Sequence, residues 1–93
     1  MPGVARKGDR GVVHASPYTI KSGSTDVFVN NKPAARKNDS STPHKKTRKK
    51  THISKIKNGS STVYVNNRPL ARIGDALGDC TRVQSGSGDV FSG

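Results

Sequence analysis

The chain has 93 residues, 29% hydrophobic and 4% aromatic, with one cysteine and a formal charge of +11. Such a chain makes one small domain with a thin core and no internal disulfide, so a metal ion or a partner subunit is the staple left to it. No apolar run exceeds three residues and glutamate is absent, which argues against a spanning helix, a signal-peptide core or any long helix.

From the N-terminus, Arg6-Lys7-Gly8-Asp9 recurs as Arg36-Lys37-Asn38-Asp39 and Arg72-Ile73-Gly74-Asp75. Each copy is followed, five residues after its aspartate, by a metal-capable side chain: His14, His44 or Cys80. Gly8, Asn38 and Gly74 share one position and all suit left-handed backbone, so a tight turn is expected there. Residues 26–29 and 62–65, Asp-Val-Phe-Val and Thr-Val-Tyr-Val, are β-branched and aromatic and read as short strands. Asn30-Asn31 and Asn66-Asn67 follow them and tolerate the two positive φ angles of a type I′ hairpin. Return strands are expected over 32–36 and 68–72, with Pro33 and Pro69 at positions that donate no ladder bond.

The segment 21–44 recurs as 57–80 at a constant offset of 36, and the termini supply complementary halves of a third copy, 84–93 completed by 3–14. A linear stack would need two caps, whereas a ring of three exposes no end. The expectation is one all-β domain over 1–93 with pseudo-threefold closure, residues 84–93 lying against 3–9. Phe28, Tyr64 and Phe91 superpose in the repeat, as do Val27, Val63 and Val90, then Ile20, Ile56 and Val83, and Ala5, Ala35 and Ala71. Alternation separates Phe28 from Val27 and Val29, so one of those sets is expected to fill the axial core and the other to cover a second surface.

Closure would set His14, His44 and Cys80 in a triangle about the axis, with His52 completing a set of four from the long loop. The four are separated by 29, 7 and 27 residues, unlike a zinc finger. Three imidazoles and a thiolate suit Zn²⁺, with iron as the alternative metal. Four protein ligands leave no open position, so the metal is expected to be structural and the protein not an enzyme. The three Arg–Asp pairs read as exposed bridges that pin each turn and add little stability.

Pro33-Ala34-Ala35-Arg36 spells the motif of the PAAR family, and Pro69-Leu70-Ala71-Arg72 differs from it at one residue. Val-Phe-Val-Asn-Asn-Lys and Ser-Gly-Ser-Gly-Asp-Val-Phe also resemble that family's hairpin and terminal strand, so the resemblance extends over residues 3–92. The first copy departs from it, reading Gly3-Val4-Ala5-Arg6, and Asn-Asn replaces the more usual Asn-Gly. The resemblance implies a pseudo-threefold cone of three β-hairpin repeats with a Zn²⁺ near its apex, held by His14, His44, His52 and Cys80. It implies one cone per trimeric β-helical spike protein, of the VgrG type in type VI secretion or the central spike of a contractile phage tail. The implied function is a structural tip that caps and sharpens the spike and pierces target membranes, with a cargo effector as a further partner. Such a tip is made in the cytoplasm, assembled on the spike and delivered into the target cell.

The charge offers an alternative reading, a basic nucleic-acid-binding module. The most basic run, Lys45-Lys46-Thr47-Arg48-Lys49-Lys50, lies in a linker of 11 residues between His44 and Ile56, against 5 and 2 in the other copies. It contains no aromatic residue for stacking on bases. Nucleic acid is therefore not the expected partner, and an anionic membrane surface suits the run better.

Overall fold

The computed structural model describes residues 1–12, 18–45, 51–78 and 81–93. Among these there is no helix. Strands of two residues each form four antiparallel ladders: β1 (Phe28–Val29) with β2 (Lys32–Pro33), β3 (His44–Lys45) with β4 (Thr51–His52), β5 (Tyr64–Val65) with β6 (Arg68–Pro69), and β7 (Ala76–Leu77) with β8 (Thr81–Arg82). The fold is all-β.

The Asn-Asn hairpins are β1–β2 and β5–β6. Asn30 and Asn31 have φ angles of 54° and 65°, repeated at Asn66 and Asn67, as a type I′ turn requires. Phe28 lies opposite Pro33, and Tyr64 opposite Pro69. The return strands are shorter than 32–36 and 68–72. Beyond the prolines the chain turns its free edge to another repeat: Ala34 bridges to Arg6, Leu70 to Arg36, and Val4 to Arg72.

These exchanges close a ring. The Ala5 N–H donates to the Ala71 carbonyl (2.9 Å), Ala71 to Ala35 (3.0 Å) and Ala35 back to Ala5 (3.0 Å). Two residues on, a second ring runs in the opposite cyclic order, from Lys7 to Pro33, Lys37 to Pro69 and Ile73 to Gly3. The C-terminal residues complete the third unit. Val4 donates to the Val90 carbonyl as Ala34 does to Val27 and Leu70 to Val63, and Ser87 donates to Val4 as Ser24 does to Ala34 and Ser60 to Leu70. Each backbone bond thus has two counterparts about one approximate threefold axis.

Ala5, Ala35 and Ala71 are fully buried; three backbones bonded this closely leave room for little more than a methyl group. With Ile20, Ile56, Val83, Leu77 and Tyr18 they form one core cluster. Gly11, Ser41 and Leu77 share an equivalent position, and a Cβ on Gly11 would stand 2.3 Å from the Tyr18 ring. Tyr18 therefore fills beside Gly11 the space that Leu77 fills in its own unit. A second cluster joins Val4, Ala34, Val65 and Leu70, with Val29 packed against it.

The aromatic set does not occupy the axial core, and the valine set reaches the interior only in part, through buried Val65 and through Val29 packed beside it. Phe28, Tyr64 and Phe91 are 57%, 58% and 50% exposed, and Val27, Val63 and Val90 are exposed as well. The interior is narrow, and the alanines with the Val4, Ala34 and Leu70 positions already fill it.

Ala35→Leu forces three methylene-scale additions into this closed ring and is expected to cost about 1–3 kcal/mol or more in urea unfolding. Lys37→Ala on the exposed turn should stay within about 0.5 kcal/mol. Equal stability of the two variants would contradict the packing described.

Candidate metal centre and the apolar face

Each repeat approaches the candidate metal end through its Arg–Asp turn. Arg6 Nε donates to Asp9 Oδ2 at 2.9 Å and Nη2 to Oδ1 at 3.0 Å, while the Arg6 backbone N–H reaches the same Oδ2 at 2.7 Å. Arg36–Asp39 has the same three bonds, and so does Arg72–Asp75. The third residue of each turn is left-handed, with φ of 93° at Gly8, 75° at Asn38 and 93° at Gly74. The aspartate side chains are only 5%, 3% and 7% exposed. The pairs are therefore buried rather than exposed, and removing one partner would strand a charge. In each pair the hydrogen bond to the carboxylate raises the arginine pKa further above its ordinary value. They hold the turns in shape.

Past the aspartates the chain leads to the four candidate ligands. The β3–β4 register places His44 directly opposite His52. Opposed residues of an antiparallel pair share a face, with Cβ atoms about 5 Å apart, so the backbone brings these two positions within reach of a single ion. His52 is half-buried. His14 and Cys80 lie outside the described residues, as do the side chain of His44 and the basic residues 46–50.

The described flanks of those segments interlock. Val12, two residues before His14, donates its N–H to the Arg82 carbonyl (2.9 Å), and the hydroxyl of Thr81, next after Cys80, donates to the Val12 carbonyl at 2.6 Å. Gly78, two residues before Cys80, donates to Lys55 (2.8 Å), while Ser41 donates to Ser54 (2.7 Å) and Thr42 to Thr19 (2.8 Å). These bonds, with the β3–β4 ladder, tie together described residues on either side of the four candidates. Ser54 Oγ among them is buried without a hydrogen-bond partner. Among the described residues no three His, Cys, Asp or Glu side chains gather as a metal cluster.

On the other side of the alanine ring lie the hairpin tips and the exposed aromatics. Buried Ser24, Ser60 and Ser87 each accept two backbone N–H bonds from the strand that follows, fixing Val27, Val63 and Val90. Arg6 Nη1 donates to Asn30 Oδ1, whose amide donates to Asp89; Arg36 Nη1 donates to Asn66 Oδ1, whose amide donates to Asp26. At the third such link, between the 57–80 unit and the unit made by the termini, Thr62 stands where the others have Asp26 and Asp89, and Gly93 where they have asparagine. Both halves of that link change together. The asparagine amide first, then the serine hydroxyl, hold Asp26 and Asp89 below the ordinary carboxylate pKa.

No protein-family model matches the chain, and no curated protein matches it.

A lowered folded-state pKa means that Asp26 contributes stability above its unfolded pKa and loses it as pH falls through the folded value. Asn66→Ala is expected to raise the Asp26 midpoint toward the ordinary carboxylate range and to leave Asp89 in place, read by NMR titration of the carboxyl carbons. An unmoved Asp26 midpoint would show that the Asn66 amide does not set it.

Proposed function

We propose that this protein is the structural tip of an injection spike, as its resemblance to the PAAR family implies, capping a trimeric β-helical spike protein. The observation that carries this reading is the exposed set of Phe28, Tyr64 and Phe91 with Val27, Val63 and Val90. These six apolar side chains occupy three equivalent positions about one axis. Exposed large apolar side chains suit a docking role, and their threefold repetition suits a partner that itself ends in three equivalent chains. A single asymmetric partner would have no use for the three copies.

The opposite end supports a metal staple. The flanks of its segments are hydrogen-bonded to one another, and the donors in the sequence are three imidazoles and one thiol. His14, His44, His52 and Cys80 fit Zn²⁺, which would cross-link loops that otherwise have only short ladders to hold them. With all four positions filled by protein, this reading assigns no catalysis. The role is mechanical: closure leaves few loose strand edges to splay under load, and the tip meets the target membrane while a cargo effector travels with the spike.

Two measurements test it. Mass spectrometry under non-denaturing conditions should find one zinc per chain, and a strong chelator should lower Tm by more than about 10 °C. Zinc loss with an unchanged Tm would remove the staple. Phe28→Asp with Phe91→Asp should abolish co-elution with a trimeric β-helical spike fragment and leave Tm nearly unchanged. Undiminished co-elution would remove the docking face.

A further inference from the structure

Ser22, Asn58 and Ser85 hold equivalent positions in the three repeats, and one of the three differs in chemistry. Ser22 Oγ accepts the Ser40 N–H (3.1 Å) and donates to Asp39 Oδ1 (3.1 Å). Ser85 Oγ accepts the Arg10 N–H (2.8 Å) and donates to Asp9 Oδ1 (3.1 Å). Asn58 Oδ1 accepts the Ala76 N–H at 3.3 Å, and the Lys57 N–H donates to the Ala76 carbonyl at 2.8 Å. The accepted N–H belongs in each case to the residue after the buried aspartate, which sets the Asn58 side chain beside Asp75. Glycine follows at all three positions because packing demands it. A Cβ on Gly23 would stand 2.9 Å from Pro33 Cβ, one on Gly59 2.7 Å from Pro69 Cβ, and one on Gly86 2.8 Å from the Val4 carbonyl oxygen. Serine before that glycine offers no side-chain carbonyl to attack. Asn58-Gly59 does, and it is the one Asn-Gly pair in the chain.

We propose that Asn58 is a site of spontaneous deamidation in the folded protein, converted to aspartate and isoaspartate. The nucleophile is the backbone nitrogen of Gly59. It has no side chain beside it to block attack, and among the described residues no backbone bond engages its N–H. Asn58 is exposed and Gly59 half-buried, so water and hydroxide reach both. Negative charge develops on Asn58 Oδ1 during attack, and the Ala76 N–H is already in place to stabilise it. The Gly59 nitrogen gives up its proton to hydroxide and bonds to Asn58 Cγ. The bond from Cγ to the amide nitrogen then breaks, and that nitrogen takes a proton from water and leaves as ammonia. The succinimide ring takes up one water and opens at either carbonyl. The fold sets the consequence. Asparagine can still offer an N–H where Ser22 and Ser85 donate to aspartate, but both products bring a carboxylate there instead. It stands beside Asp75, whose side chain is 7% exposed and already paired with Arg72, and two carboxylates so placed oppose each other's ionisation. Isoaspartate also lengthens the main chain by one carbon just before Ser60, whose N–H is fixed to the Leu70 carbonyl. One repeat therefore ages by a route that the other two lack. Neither the apolar face nor a metal enters this chemistry.

The experiment holds the full chain at mildly alkaline pH, with circular dichroism confirming that it stays folded, and maps its peptides by mass spectrometry with fragmentation. The mass gain of one deamidation is expected at Asn58 ahead of the other five asparagines, with isoaspartate among the products. Cation exchange then separates the more acidic fraction, whose Tm should lie about 4–8 °C below that of fresh protein. Asn58→Ser restores the residue of the other two repeats and should abolish that mass gain while leaving Tm in place. Asn58→Asp should melt below Asn58→Ser, and the aged fraction supplies the same comparison where that variant does not fold. Asn58 left intact after a free peptide of residues 55–62 has been converted, another asparagine reacting first, or a deamidated fraction that melts with fresh protein would each overturn the proposal.

Discussion

Three backbone hydrogen bonds, Ala5 to Ala71, Ala71 to Ala35 and Ala35 to Ala5, set the terms for the rest of the molecule. No repeat is self-sufficient, because its strands are two residues long and most of its peptide groups find partners only in a neighbouring repeat. A net intramolecular hydrogen bond is worth about 1 kcal/mol, but a buried peptide group left unpaired costs about 1–3. Opening the ring at one seam would strand groups in both repeats that meet there, so closure is cooperative. The alanine motif follows from this constraint, since residues bonded around a shared axis cannot also carry large side chains there.

The repeat, its turns and its closure were legible in the residues. Asn-Asn after a Val-Phe-Val or Val-Tyr-Val strand named the hairpin, and the Gly8, Asn38 and Gly74 positions named the left-handed turn, because both depend on local backbone energetics. What was hidden depends on neighbours. The return strands stop early because Ala34 and Leu70 pair with another repeat, and no local pattern shows that. Alternation separates Phe28 from Val27 but does not say that both lie outside an interior already full. Spacing paired Arg36 with Asp39 without showing that the pair is buried. At the candidate metal end, repeat equivalence singled out three of the four side chains. The cross-strand placement of His44 and His52 had no signal beyond a long linker, since a lysine-rich stretch carries no β signature.

Where the repeats differ, the differences are matched. Tyr18 occupies the space beside Gly11 that a larger residue at that position would take. Thr62 replaces aspartate in one unit, and Gly93 replaces, in the neighbouring unit, the asparagine that would have reached it. Approximate symmetry therefore supplies the frame, and local exchanges keep each unit satisfied within it.

The bond between Val4 and Val90 also has a consequence for biosynthesis. The two partners lie 86 residues apart in sequence, so the ring cannot close on the ribosome until Val90 has cleared the exit tunnel. Contacts this remote in sequence slow folding, and the nascent polypeptide must wait unfolded. Its sparse apolar content and strong positive charge suit that wait, because self-repulsion discourages early collapse and aggregation while the final strand is still being made.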